Sequence, residues 1–185
     1  MAVQGGRTSI HESRRIMDAT NEYVALSDKL IIDDSPHSTT MAIRSMLKRR
    51  IVEGRRLEML TVDYLQLCEA IGSYERRDGE INQICRGLKI IAKEFDIPVI
   101  ALSQVKRPDE KKANDSPKMT DQAEGASIER TADLIITAKL TNQEQMLLDE
   151  RLVDFYITKQ RSGPAGKIPF RFHAPLCRAQ GQRRA

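Results

Sequence analysis

Apolar residues at Ile81, Ile84, Leu88, Ile91, Ala92 and Phe95 recur at three- and four-residue intervals, which predicts one buried helix face. Three residues beyond Phe95, Pro98-Val99-Ile100-Ala101-Leu102 is a short apolar run of the kind that forms a buried strand. Before the helix, residues 57–67 carry Leu60, Val62, Leu65 and Leu67 around a single Asp63, a second strand candidate. Residues 73–79 read as a charged, glycine-containing loop between them. Strand, helix and strand at this spacing form a βαβ crossover, so the two strands are expected to be parallel.

Upstream, the first thirty residues are polar and show only a weak helical pattern over Ile16, Met17, Val24 and Leu26. Leu30-Ile31-Ile32, ending in Asp33-Asp34-Ser35-Pro36, predicts a strand running into a turn. Thr39 or Thr40 can then cap a helix bearing Ile43, Met46, Leu47 and Ile51 on one face. Gly54 falls where such a helix would end, and Arg44, Lys48, Arg49 and Arg50 lie mostly on its solvated side. Downstream, residues 106–120 are a long polar loop. Leu134-Ile135-Ile136 and residues 153–158 predict two further strands. A turn at Ser162-Gly163-Pro164-Ala165-Gly166 leads into an alternating strand over residues 168–172. The expected fold is α/β, parallel early and closing in an antiparallel hairpin.

Composition narrows the chemistry only slightly. Lys and Arg number 30 against 26 Asp and Glu, a charge of +4 that permits a nucleic-acid partner without requiring one. Aromatic residues are 4% with no Trp, which argues against a single-strand binder built on stacked aromatic platforms. Cys68, Cys85 and Cys177 form no C-x-x-C pair and read as buried small hydrophobes in a reducing compartment. No apolar run is long enough to span a bilayer and the N-terminus lacks a signal-peptide core, so a soluble, cytoplasmic protein is expected.

Three elements carry candidate chemistry. Asp63 ends an apolar strand, where α/β sheets bind ligands and where a carboxylate can hold Mg²⁺ against phosphates. It can equally be an aspartate that caps a turn. Gln104, in Ala101-Leu102-Ser103-Gln104, ends the next strand, where a neutral amide can bond a phosphate or an attacking water, or simply make a turn. Lys159 and Arg161, in Thr158-Lys159-Gln160-Arg161-Ser162-Gly163-Pro164, place two cations two positions apart beside a rigid turn. That arrangement suits phosphate contact, and also suits an edge strand protected by charge.

In this order the pieces resemble DnaB-type ring-forming replicative helicases. Residues 60–67, the helix ending in Lys89-Ile90-Ile91-Ala92-Lys93-Glu94-Phe95, and residues 97–104 are similar to their Walker B strand, helix and switch strand. Ala126-Ser127-Ile128-Glu129-Arg130-Thr131-Ala132-Asp133-Leu134-Ile135 resembles the segment bearing a DNA-facing loop, and Lys159-Gln160-Arg161-Ser162-Gly163-Pro164 resembles the arginine-finger hairpin. The resemblance implies a RecA-like P-loop NTPase core over residues 30–175, with a helical linker segment at 1–29 and a basic tail at 176–185. It implies ATP and Mg²⁺ as cofactors, single-stranded DNA as the track, a homo-hexameric ring, and primase and a helicase loader as partners.

By position, the resemblance makes Asp63 the metal-holding carboxylate and Gln104 the γ-phosphate sensor. Lys159 and Arg161 become catalytic cations acting on a neighbouring subunit's nucleotide. DNA backbone contact is expected at Glu124, Gly125, Ala126 and Ser127, with Arg77, Lys106 and Arg107 as further candidates. Two departures matter. The phosphate loop G-x-x-x-x-G-K-[ST] is absent, and Gly5-Gly6-Arg7-Thr8-Ser9 has Arg for Lys and no strand before it. The family's catalytic glutamate also precedes the matched region, so the chain is expected to begin inside the domain, to expose an apolar sheet flank, and to turn over ATP negligibly alone. Gln122-Ala123-Glu124-Gly125-Ala126 stands where many relatives carry Arg and a Ser-Gly pair.

The competing reading is a non-catalytic RecA-like module that assembles with or regulates a complete helicase; a recombination- or clock-type ATPase fits the Lys-x-Arg-x-Gly-Pro hairpin less well. Asp63 and Gln104 are expected on one sheet edge, and Lys159 and Arg161 solvent-facing without a strong internal carboxylate partner.

Overall fold

The computed structural model describes residues 9–26, 29–35, 38–72, 74, 77–104, 125–141 and 149–181. Its core is organised by helix α3, Arg77–Phe95, whose apolar stripe buries Ile81, Ile84, Cys85, Leu88 and Ile91. Ile81 is fully buried, and sequestering an isoleucine this completely contributes about 1.5–3 kcal/mol relative to exposure. Ile43 and Leu47 of helix α2, Thr40–Val52, join the same cluster, as do Val62, Leu65 and Cys68.

Local signals explain the bounds of α2. The Thr39 hydroxyl accepts from the Ala42 backbone N–H at 3.1 Å. At the far end Gly54 adopts φ +81, with Gly54 N–H donating to Ile51 and Arg55 N–H to Arg50. This left-handed closure satisfies carbonyls that a helix end otherwise leaves open. Arg44 donates from Nε and Nη2, one edge of its guanidinium, to both carboxylate oxygens of Glu94 in α3, and Lys48 reaches the same carboxylate at 3.2 Å. The basic face expected to be solvated thus also clasps the neighbouring helix.

Beneath these helices lie two short parallel pairs. Strand β1, Ser38–Thr39, pairs with β3, Cys68–Glu69. Strand β2, Leu60–Val62, pairs with β4, Val99–Ala101, confirming the parallel crossover. The long strand expected over 57–67 is therefore split: Asp63 lies at a bend, and Leu65–Leu67 form a 3₁₀ turn before β3. Leu60, Val62 and Val99 face the helices, whereas Ile100 is 47% exposed and Leu102 46%, an open apolar flank as anticipated.

The C-terminal sheet is antiparallel in the order β5-β6-β7-β8: Leu134–Leu140, Glu150–Gln160, Gly166–His173 and Arg178–Gly181. It is larger than a hairpin, and β8 pairs with β7 from Phe170 to His173 within the segment read as a basic tail. Helix α4, Gly125–Thr131, packs on α3 and leads into β5. Inside the sheet Phe155 and Phe170 meet at 4.5 Å between ring centroids. Asp154, buried, is neutralised by Lys167 at 2.7 Å and bonded by the Thr141 hydroxyl at 3.2 Å.

Residues 1–35 form a separate unit, and its helix α1, Ile10–Leu26, is far longer than the weak pattern implied. A capping box starts it: Ser9 N–H donates to the Glu12 carboxylate while Glu12 N–H donates to the Ser9 hydroxyl. The Ser9 N–H, together with the Ser9 hydroxyl that donates to the same carboxylate at 2.9 Å, holds the Glu12 carboxyl below its ordinary range. Leu30-Ile31-Ile32 is not a strand and all three side chains are exposed; among the described residues no strand pairs with it. Cys68 and Cys85 are buried as expected, but Cys177 is exposed.

Candidate functional site

The ends of β2 and β4 are tied in a way that lifts Asp63 out of the ladder. Leu102 N–H donates to the Val62 carbonyl at 2.9 Å, as register requires. Its carbonyl, however, accepts from Leu65 N–H at 2.8 Å, one residue beyond the partner a regular parallel pair would use. Asp63 and Tyr64 are the excursion between these two bonds, and Asp63 is left exposed at the C-terminal end of its strand. Gln104, also exposed, follows the same end of the neighbouring strand. The two candidates therefore share one sheet edge, the crevice where parallel sheets bind ligands.

Gln66 joins these ends, which sequence reasoning missed. Its side-chain N–H donates to the Ser103 hydroxyl at 3.0 Å, and its side-chain oxygen accepts from the Gln104 backbone N–H at 3.4 Å. Arg77, at the start of α3, donates to the Gln66 carbonyl at 3.0 Å and pairs with Glu80.

The second cluster surrounds Asp133, just ahead of β5. Arg161 donates to its carboxylate at 3.0 Å, and Arg161 N–H donates to its backbone carbonyl at 2.9 Å. Lys89 of α3 bonds the other carboxylate oxygen, and Lys159 donates to the Glu129 carbonyl at the end of α4. Lys89 foremost, with Arg161 and Lys159 adding charge, holds the Asp133 carboxyl below its ordinary range. Arg161, expected without a strong internal carboxylate partner, does have an internal carboxylate partner in Asp133. The pair remains on the surface, with Arg161 59% exposed and Asp133 55%, so the guanidinium is restrained rather than buried. The partner was invisible in sequence because the antiparallel return of β6 alongside β5 brings it close.

The expected DNA-contact residues fare differently. Gly125 and Ser127 are buried against α3, Ser127 at 2% exposure with its hydroxyl 3.4 Å from the Asp78 carbonyl; Ala126 is exposed. Arg77 is engaged as described, and its links run toward the 3₁₀ turn. Lys106, Arg107 and Glu124 lie outside the described residues. No group of three or more His, Cys, Asp or Glu able to hold a metal occurs among the described residues. No helix there is long and apolar enough to cross a membrane.

Comparison with known proteins agrees with this arrangement. The family model for the DnaB-like helicase C terminal domain matches residues 1–180. The replicative DNA helicase DnaB of Pasteurella multocida is 40% identical over 152 residues, 80% of this chain and 32% of that protein. That of Haemophilus influenzae is 38% identical over 154 residues, 82% of this chain and 32% of its own length. The chain thus spans about a third of the length of the curated relatives it matches. Among solved structures, an ATPase domain superposes with a TM-score of 0.83 at 25% identity, covering 98% of this chain and 64% of that one. A DnaB-like replicative helicase, solved in a study of its interactions with primase, gives 0.76 at 27% identity, covering 92% of this chain and 42% of its own. With these matches, and with Asp63 and Gln104 at neighbouring ends of a parallel pair, the chain belongs to the family of DnaB-like helicase C-terminal domains, with their RecA-like ATPase fold.

Proposed function

We propose that this chain forms part of the motor of an ATP-driven, ring-forming replicative DNA helicase. The observation that carries this reading is the shared edge of Asp63 and Gln104, held by the bonds of Leu102 to Val62 and Leu65. Mg²⁺ is commonly held by one or two carboxylates, several waters and the substrate's phosphates, so a single exposed carboxylate such as Asp63 fits that ion. When bound with ATP, the ion would neutralise charge on the terminal phosphates. Asp63 would orient it, and Gln104 would report the presence of the γ-phosphate through its amide. Lys159 and Arg161 act on the nucleotide of the adjacent subunit in a homo-hexameric ring, and the exposure of Arg161 is consistent with its leaving Asp133 to do so. Single-stranded DNA is the substrate, with contacts assigned to Lys106, Arg107, Glu124 and the exposed Ala126 rather than to Ser127. A primase and a loader are partners of the whole assembly, and the compartment is the cytoplasm.

The chain alone turns over ATP negligibly on this reading, because no phosphate loop lies among its 185 residues. Losing one such stabilising donor costs about 2.7–4 kcal/mol of barrier. Phosphate release by the purified chain is the test. Robust turnover that Asp63→Ala abolishes would overturn the reading. The trans role is tested by replacing the matching segment of the Pasteurella multocida helicase with this chain. Mixing Arg161→Ala subunits into such rings should depress turnover beyond simple dilution; loss in proportion to dilution would exclude a trans-acting finger.

A further inference from the structure

A residue outside the family-implied set stands at the junction of the site. Gln66 follows Asp63 in the 3₁₀ turn, is half-buried, and spans from that turn to β4. One end of its amide donates to the Ser103 hydroxyl at 3.0 Å and the other accepts from Gln104 N–H at 3.4 Å. Its own carbonyl accepts from Arg77 at 3.0 Å. The side chain thus addresses two consecutive residues of the switch strand, while its backbone is anchored to α3.

The need for such a link follows from the backbone. Beyond Leu102 the parallel ladder has ended, so neither Ser103 nor Gln104 has a strand partner. Gln104 N–H would otherwise be free to rotate, and with it the direction of the Gln104 side chain. A half-buried amide that bonds both residues removes that freedom at little entropic cost, because Leu65 beside it is already fixed to Leu102. We propose that Gln66 is a positioning residue that fixes Gln104 relative to the Asp63 turn and passes displacements of either end to Arg77 and α3. This deepens the nucleotide reading above and rests on it.

Amide hydrogen exchange on the purified chain tests the link directly. In Gln66→Ala, exchange at Gln104 should rise about fivefold, the equivalent of one neutral hydrogen bond. The amides of Leu88 and Ile91 in α3 should keep their rates. Gln66→Glu retains acceptor oxygens for both Gln104 N–H and the Ser103 hydroxyl, and should restore Gln104 protection. Unchanged exchange at Gln104 in Gln66→Ala would overturn the inference, as would an equal rise throughout α3, which would signify general loosening. The chimaeric helicase separates this claim from the one beneath it. There Gln66→Ala should lower kcat for ATP about tenfold or more while KM holds, and Gln66→Glu should recover it. If Asp63→Ala abolishes turnover but Gln66→Ala leaves kcat intact, the inference alone fails. If Asp63→Ala itself leaves turnover intact, the nucleotide reading fails.

Discussion

Replacing Gly87 by Ala should destabilise the protein, although alanine is the better helix former. Gly87 sits inside α3, where the substitution by itself favours the helix by about 0.5–1 kcal/mol. A methyl at this position, however, would lie 2.5 Å from Thr40 Oγ1, 2.7 Å from its Cβ and 2.8 Å from its Cγ2. Rotating Thr40 about χ1 moves the outer two atoms but not the Cβ, so the helix backbones themselves must part. Thr40 opens α2, and the closeness of the two helices here is what lets Ile43 and Leu47 reach the α3 stripe. Overpacking of this kind costs about 1–3 kcal/mol. With the clash on an immovable atom the upper half of that range applies, leaving a net loss of about 1–2.5 kcal/mol after the propensity gain. Urea denaturation followed by helical circular dichroism should show the midpoint falling by about 0.5–1 M at an unchanged slope. Thr40→Gly, which removes all three atoms, should make the second substitution far less harmful, giving a favourable coupling in the double-mutant cycle. A Gly87→Ala midpoint equal to or above that of the parent would refute the close contact.

Asp133→Asn should change stability by less than about 1 kcal/mol, since its ion pairs are exposed and screened; calorimetry showing a loss above about 3 kcal/mol would mean the network is structural. Arg44 first, then Lys48, holds the Glu94 carboxyl below its ordinary 4.5. A depressed folded value means the stabilisation is present above 4.5 and lost as pH falls through the folded value. The Tm difference between the parent and Glu94→Gln should therefore shrink as pH falls below that range, and a difference independent of pH down to about 2 would contradict the bridge. Burial pushes the Cys85 thiol up to about 11 and raises Cys68 as well, while Cys177 is exposed. A thiol reagent at pH 8 should thus label Cys177 in the native chain and all 3 cysteines only after unfolding; native labelling of Cys85 at the same rate would show that the core opens readily.

The parts of this architecture that could be read in advance are those where one face of an element alone decides its fate. The α3 stripe is long and periodic, and its short connection to β4 leaves few ways to place the two. The bends and edges were harder because their partners are non-local. Leu30-Ile31-Ile32 has a strand's composition, but without a paired neighbour among the described residues it forms no strand. Conversely Arg178-Ala179-Gln180-Gly181 has no strand pattern, yet its backbone pairs with β7. Helix α1 carried a legible signal that apolar periodicity alone overlooked, the Ser9-x-x-Glu12 capping box. The candidate site divides along the same line. Asp63 and Gln104 each end an apolar run, so strand order alone puts them side by side. Gln66 and Asp133 act on groups far away in sequence, and only the bulge after Val62 and the return of β6 beside β5 reveal what they hold. Both hold residues that the nucleotide reading assigns to the chemistry, Gln66 the sensor and Asp133 the finger. Free sensors and fingers would respond to nucleotide independently. Joined through Gln66 to Arg77 at one end of α3 and through Asp133 to Lys89 farther along it, they meet on a single helix. Helix α3 is therefore the element whose small shifts would be felt at both clusters together.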